Sequence, residues 1–111
     1  IFPAFYACYD DAGEVSPDRA RVFTEYLIGK GVNGLYVGGS SGECIYHSVE
    51  ERKALLEAVI AQAAGRITII AHVACNNTRD SMELAAGHRF RRYRRSVFKI
   101  RGIVSSPFVE L

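Results

Sequence analysis

The sequence predicts an α/β fold built on a parallel sheet. Short apolar runs of strand character alternate with stretches of helical periodicity, and the pair recurs three times at a spacing of about thirty residues. Each helical stretch opens on a capping signal, and the first two close at glycine. Periodicity leaves two closures open, a doubly wound sheet or a (β/α)8 barrel. A barrel of that kind takes about 250 residues, so three units in a chain of 111 are less than half of one.

The first run, Phe2–Cys8, is apolar and aromatic and suits a buried strand; Asp10-Asp11-Ala12-Gly13 breaks it. Ser16-Pro17-Asp18 starts a helix, with Ser16 as N-cap, Pro17 at the first helical position and Asp18 near the positive end of the dipole. Val22, Phe23, Tyr26 and Leu27 are expected to form its apolar face, and Gly29-Lys30-Gly31 to end it. The second unit has a strand at 34–37, a turn at 38–42 and a capping box at Ser48-Val49-Glu50-Glu51. Leu55, Leu56, Val59 and Ile60 give its helix an apolar stripe that Gly65 closes. The third run, Ile67–Val73, is almost continuously apolar, as a parallel strand covered on both faces should be. Asn76-Asn77-Thr78 then caps a helix whose buried face is expected to begin with Met82, Leu84 and Ala85.

Composition is globular, at 49% hydrophobic and 23% charged residues. No apolar run approaches the roughly 18 residues of a membrane span, and no basic region precedes the apolar start, so a cytoplasmic protein without a signal peptide is expected. Cys8, Cys44 and Cys75 are odd in number and lack CxxC spacing, which suits reduced thiols. The net charge of +2 hides an asymmetry: residues 1–86 carry 7 basic and 11 acidic side chains, residues 87–111 carry 7 and 1. Two parts are therefore expected, a βαβαβα part over 1–86 and a divergent basic tail over 87–111.

In a parallel α/β protein, chemistry sits at the C-terminal ends of the strands. Gly38-Gly39-Ser40-Ser41-Gly42-Glu43 lies at such an end. Glycines there permit close approach of a ligand, while backbone N–H groups and the Ser40 and Ser41 hydroxyls suit a small carboxylate. A tight turn chosen only for backbone shape is the competing reading. Nucleotide binding is disfavoured, because the run has neither the Gly-Lys-Ser/Thr of a P-loop nor G-x-G-x-x-G spacing.

The run Gly34-Leu35-Tyr36-Val37-Gly38-Gly39-Ser40-Ser41-Gly42-Glu43 resembles the pyruvate-binding motif of the N-acetylneuraminate lyase and dihydrodipicolinate synthase family, in the form the lyase group carries. Ile69-Ile70-Ala71-His72-Val73-Ala74-Cys75 resembles the third strand of that group, and Ser48-Val49-Glu50-Glu51-Arg52 the start of its second helix. The match runs from about Phe2 to Ala86. The resemblance implies a TIM barrel, of which these residues are the first three βα units, and a class I aldolase. In that chemistry a lysine forms a Schiff base with pyruvate and a tyrosine shuttles protons, without a cofactor or metal. Carried over by position, Ser40 and Ser41 hold the pyruvate carboxylate, Ser40 joins the proton relay, and Gly39, Gly42 and Glu43 shape the loop.

The resemblance places the Schiff-base lysine and its tyrosine on later strands absent from this chain. Lys30, Lys53 and Lys99 stand at no motif position, so the chain alone is expected to be inactive. The implied partners are pyruvate and a sugar aldehyde, with N-acetylneuraminate cleavage to N-acetylmannosamine and pyruvate leading. Alternatives are a dihydrodipicolinate synthase or another 2-keto-3-deoxy sugar acid aldolase, and, in a different class, a non-catalytic fragment or an anion- or nucleic-acid-binding module. The family is commonly a homo-oligomer, through surfaces largely outside this chain.

Other candidates are weaker. Cys8, Cys44 and Cys75 with His47 or His72 match no zinc spacing, and His72 on an apolar strand reads as a hydrogen-bonded core residue. Tyr6, Tyr9, Tyr36 and Tyr46 read as core aromatics, and Glu43 as an anchor accepting from backbone N–H groups. Arg89-Phe90-Arg91-Arg92-Tyr93-Arg94-Arg95 has the composition of a nucleic-acid or anionic-surface binder. A shift of one base there permits Gly-Phe-Asp-Ala-Ile-Ala, which resembles the family's next unit. The tail is therefore expected to be a frameshifted reading with no selected charge, and nucleic-acid binding is disfavoured.

Overall fold

A computed structural model describes residues 1–89 and 98–101. Three strands, β1 (Gly34–Val37), β2 (Thr68–His72) and β3 (Phe98–Arg101), form a sheet in the order β1-β2-β3. Both pairings are parallel, with Leu35 opposite Ile69, Val37 opposite Ala71, and Ile69 opposite Phe98. Helices α1 (Pro17–Gly29), α2 (Val49–Ala63) and α3 (Thr78–Arg89) alternate with the strands. The parallel α/β reading therefore stands. Helix α3 runs past Gly87 to Arg89, and β3 lies within 87–111. The reading of Arg89–Arg95 falls almost wholly outside the described residues.

The segment Phe2–Cys8, expected as a strand, meets the sheet only through a parallel bridge between Ala4 and Tyr36. Tyr36 N–H donates to Pro3 O and Phe5 N–H donates to Tyr36 O. Pro3 has no N–H to extend the ladder, and Phe5 alone of this segment is fully buried.

The caps hold as the sequence predicts. Ser16 Oγ accepts from Arg19 N–H at 3.2 Å, with Pro17 opening α1. Ser48 Oγ accepts from Glu51 N–H, and Glu51 accepts in turn from Ser48 N–H, a complete capping box. Asn77 Oδ1 accepts from Asp80 N–H at the start of α3. Helix α2 leaves through Ala64 at φ 48° and Gly65 at φ 78°.

The main core joins Phe5, Ala20, Leu35, Val37, Ile69 and Ala71 to Leu55, Leu56, Val59 and Ile60 of α2. A second cluster of Val73, Leu84 and Ala85 lies under α3. Helix α1 buries Ala20 and Thr24, with Phe23, Leu27 and Ile28 packed at the edge. Val22 and Tyr26, expected on its inner face, are exposed, because a face centred on Ala20 and Thr24 turns them outward. Met82 is exposed as well: Leu84, Ala85 and Ser81 form the inner side of α3. The full coverage expected for the Ile67–Val73 run is also incomplete. Ile69 and Ala71 are buried against the helices, whereas Thr68 and Ile70, on the opposite face, are only half-buried.

Candidate functional site

The sheet delivers two strand ends to one place. β1 stops at Val37, and the chain reverses through Gly38 at φ 77°, a left-handed conformation that side chains resist. A Cβ at Gly39 would sit 2.5 Å from the Tyr36 ring, and one at Gly42 would sit 2.7 Å from the Phe5 carbonyl oxygen. Between them Ser40–Gly42 forms a single 3-10 turn, in which Gly42 N–H donates to Gly39 O and Glu43 N–H to Ser40 O. Ser40 and Ser41 are exposed on that turn, and neither hydroxyl has a partner among the described residues. Gly39, Gly42 and Glu43 all stand within or beside this turn, and both serines are presented outward.

Beside the turn lies a cleft of about 360 Å³, lined by Ser40, His47, Arg52, His72, Cys75 and Asn77 among others. It opens between the end of β1, the start of α2, the end of β2 and the start of α3. Ser41 stands outside its lining, so only one of the two serines faces this space.

The wall of the cleft is organised by Arg52, which lies on the buried stripe of α2 and is only 6% exposed. Its guanidinium donates to Ala74 O at 2.8 Å, His72 O at 2.7 Å and Gly38 O at 3.3 Å, and also reaches Cys75 Sγ. Among the described residues no carboxylate pairs with it. His72 Nδ1 lies 2.9 Å from the same Gly38 oxygen, which requires the proton on that nitrogen. Burial, with the nearby Arg52 charge adding to it, holds the His72 imidazole below its ordinary pKa despite the bond to Gly38. His72 is therefore the hydrogen-bonded core histidine that its strand suggests. Arg52 was visible only as part of a helix-start motif. The usable signal was a charge on the apolar stripe, spaced with Leu55, Leu56 and Val59 at three, four and seven residues.

A second network ties the turn from its other side. Glu43 takes the left-handed conformation, φ 58° and ψ 32°, and its carboxylate accepts from the Tyr9 hydroxyl. The expected backbone N–H partners of Glu43 are thus replaced by a phenol from the loop before α1. Tyr9 Oη also meets His47 Nε2 at 2.8 Å, with the rings edge-on. The Glu43 hydrogen bond, then desolvation, push the Tyr9 hydroxyl up to about 12.

The other candidates do not converge on one point. Cys8, Cys44 and Cys75 are all free and half-buried, and no group of three or more His, Cys, Asp or Glu side chains among the described residues is arranged to hold a metal. Lys53 pairs with Glu83 at 2.8 Å and Glu50 at 3.5 Å, and the Glu83 bond leads in raising its pKa, the opposite of what a Schiff-base lysine needs. Lys30 lies over the Tyr26 ring. Among the described residues no helix is long and apolar enough to cross a membrane.

Comparison with known proteins follows the same lines. A profile of the dihydrodipicolinate synthetase family matches residues 1–91. The N-acetylneuraminate lyase of Mediterraneibacter gnavus is 61% identical over 85 residues, covering 77% of this chain and 27% of that protein. The N-acetylneuraminate lyase of Citrobacter koseri is 38% identical over 91 residues, 81% of this chain and 31% of that protein. Among solved structures, wild-type Ruminococcus gnavus sialic acid aldolase superposes with a TM-score of 0.76 at 60% identity, covering 78% of this chain and 29% of that one. The N-acetylneuraminate lyase of Mycoplasma synoviae gives 0.74 at 31% identity, with 78% and 30% covered. The chain thus spans less than a third of the length of these relatives.

Proposed function

The chain belongs to the dihydrodipicolinate synthetase family, and from that premise we propose that it carries the carboxylate-holding part of a pyruvate-dependent aldolase site of the N-acetylneuraminate lyase type. The observation that carries this reading is the serine turn at the end of β1. Its two hydroxyls, without a partner among the described residues, project from a loop in which a Cβ at Gly39 or Gly42 would crowd Tyr36 or Phe5, inside the span the family profile matches. Ser40 and Ser41 hold the pyruvate carboxylate by hydrogen bonds that need no desolvated counter-charge. Ser40, facing the cleft, also takes part in moving the proton between the carboxylate end and the reacting carbon.

The full reaction is cleavage of a sialic acid to pyruvate and N-acetylmannosamine through a Schiff base. Residues 1–86 supply the pyruvate-anchoring units; the lysine comes from strands beyond the region matched here. The 111 residues by themselves bind pyruvate weakly and do not turn it over. A dihydrodipicolinate synthase or another 2-keto-3-deoxy sugar acid aldolase is the alternative, because the aldehyde is chosen by later strands.

Two measurements test this. Titrating pyruvate into isotope-labelled chain is expected to shift the Ser40 and Ser41 amide resonances, and Ser40→Ala to weaken that response by about tenfold, the value of one charge-assisted hydrogen bond. Pyruvate with borohydride is expected to leave the mass of the chain unchanged. A reduced adduct on Lys30, Lys53 or Lys99 would overturn the assignment of the nucleophile elsewhere.

A further inference from the structure

The serine turn is held at two ends by different means. At its start Arg52 and His72 both bond Gly38 O. At its end stands Glu43, a residue with a side chain in a conformation that favours glycine, at a cost of the order of 1 kcal/mol. A strained corner persists only where its surroundings over-determine it. Here the corner also separates two consecutive 3-10 turns, Ser40–Gly42 and Cys44–Tyr46, so a change at Glu43 re-aims the serines.

The surroundings that fix Glu43 are Tyr9 and His47. A phenol has one proton, and the Glu43 carboxylate accepts only. The Tyr9 hydroxyl therefore donates to Glu43, and at Tyr9 Oη the bond from His47 must run the other way, with Nε2–H as donor. The result is a one-way chain, His47 Nε2–H to Tyr9 O–H to Glu43 carboxylate, in which every member has one permitted role. Its elements come from three places: the loop before α1, the corner itself, and the residue before the N-cap of α2. The raised pKa of Tyr9 keeps its proton in place across the neutral range.

We propose that Tyr9 is a positioning residue for the serine turn, holding the left-handed corner at Glu43 with His47 as its second tether, so that Ser40 and Ser41 are set for a carboxylate before one arrives. The functional half of this rests on the reading of the turn as a carboxylate site; the structural half stands without it.

The test is Tyr9→Phe in the 111-residue chain, read by amide hydrogen exchange and by pyruvate titration. Loss of the one hydrogen bond is expected to speed exchange at the Gly42 and Glu43 amides about tenfold, while Val59 and Ile60 in α2 stay as protected as before. Glu43→Gln, whose side-chain oxygen still accepts from Tyr9, is expected to keep the protection that Glu43→Ala loses. Unchanged exchange at the turn, or equal acceleration through α2, overturns the proposal. So does an identical loss in Glu43→Gln and Glu43→Ala. In the pyruvate arm, a wild-type response that Tyr9→Phe weakens about fivefold or more supports positioning. An equal response in both overturns the functional half. Absence of a wild-type response with a loosened turn in Tyr9→Phe keeps the corner's tether and overturns the carboxylate reading instead.

Discussion

Arg66 grips both carboxylate oxygens of Glu25, at 3.0 and 2.6 Å, and so ties the segment after α2 to the outer side of α1. Gln62 donates to the same carboxylate at 2.8 Å. The Arg66 bonds first, and the Gln62 amide second, hold the Glu25 carboxyl down to about 2. A carboxyl whose folded pKa lies below its unfolded value stabilises the fold above about 4.5, and that contribution fades as pH falls toward 2. Glu25→Gln is therefore expected to be less stable than wild type at neutral pH and to converge with it between pH 4.5 and 2. Both groups are well exposed, so the gap is small and shrinks in high salt. Urea midpoints across that range check it.

Tyr9 gives the opposite sign. Its folded pKa of about 12 exceeds the ordinary 10, so its contribution is full below pH 10 and is lost as pH rises through 12. In a spectroscopic tyrosinate titration, Tyr9→Phe is expected to remove an ionisation near 12.

Arg52→Met is expected to destabilise the chain by about 3 kcal/mol, because it takes the guanidinium donor from His72 O and Ala74 O and leaves Gly38 O with the His72 Nδ1–H alone. Arg52→Lys recovers only part, since a single ammonium cannot span Gly38, His72 and Ala74 as a planar fork does. Chemical denaturation measures both.

Gly39→Ala and Gly42→Ala are expected to differ. The first Cβ would meet the Tyr36 ring, a side chain that can swing; the second would meet the Phe5 carbonyl, part of a backbone already bonded to β1. Gly42→Ala is expected to cost the more, by about 1 kcal/mol or above. Ser48→Ala, which removes a helix cap without any clash, is expected to cost about 1 kcal/mol. Thermal unfolding of the three variants ranks them.

Local rules made the caps, the helix limits and the glycine turn legible, because Ser16, Ser48 and Asn77 act on backbone groups three residues away. The inner faces of α1 and α3 were misjudged at Val22, Tyr26 and Met82. Side-chain apolarity does not say which arc of a helix meets the sheet; small residues such as Ala20 and Ser81 take the closest approach. Ser40 and Ser41 stand in one contiguous motif that can be read directly. The network behind them cannot, since Tyr9 lies 34 residues from Glu43 and 38 from His47 in the chain and meets them only through the fold.

The oxygens that Arg52 seeks belong almost entirely to the main chain. Every amino acid carries such an oxygen, so substitution at 72 or 74 leaves the clasp supplied. No substitution elsewhere replaces a lost guanidinium. The dependence runs one way: the side chains at 72 and 74 can change with their main-chain oxygens kept, whereas the fork that binds those oxygens is the side chain of Arg52 itself.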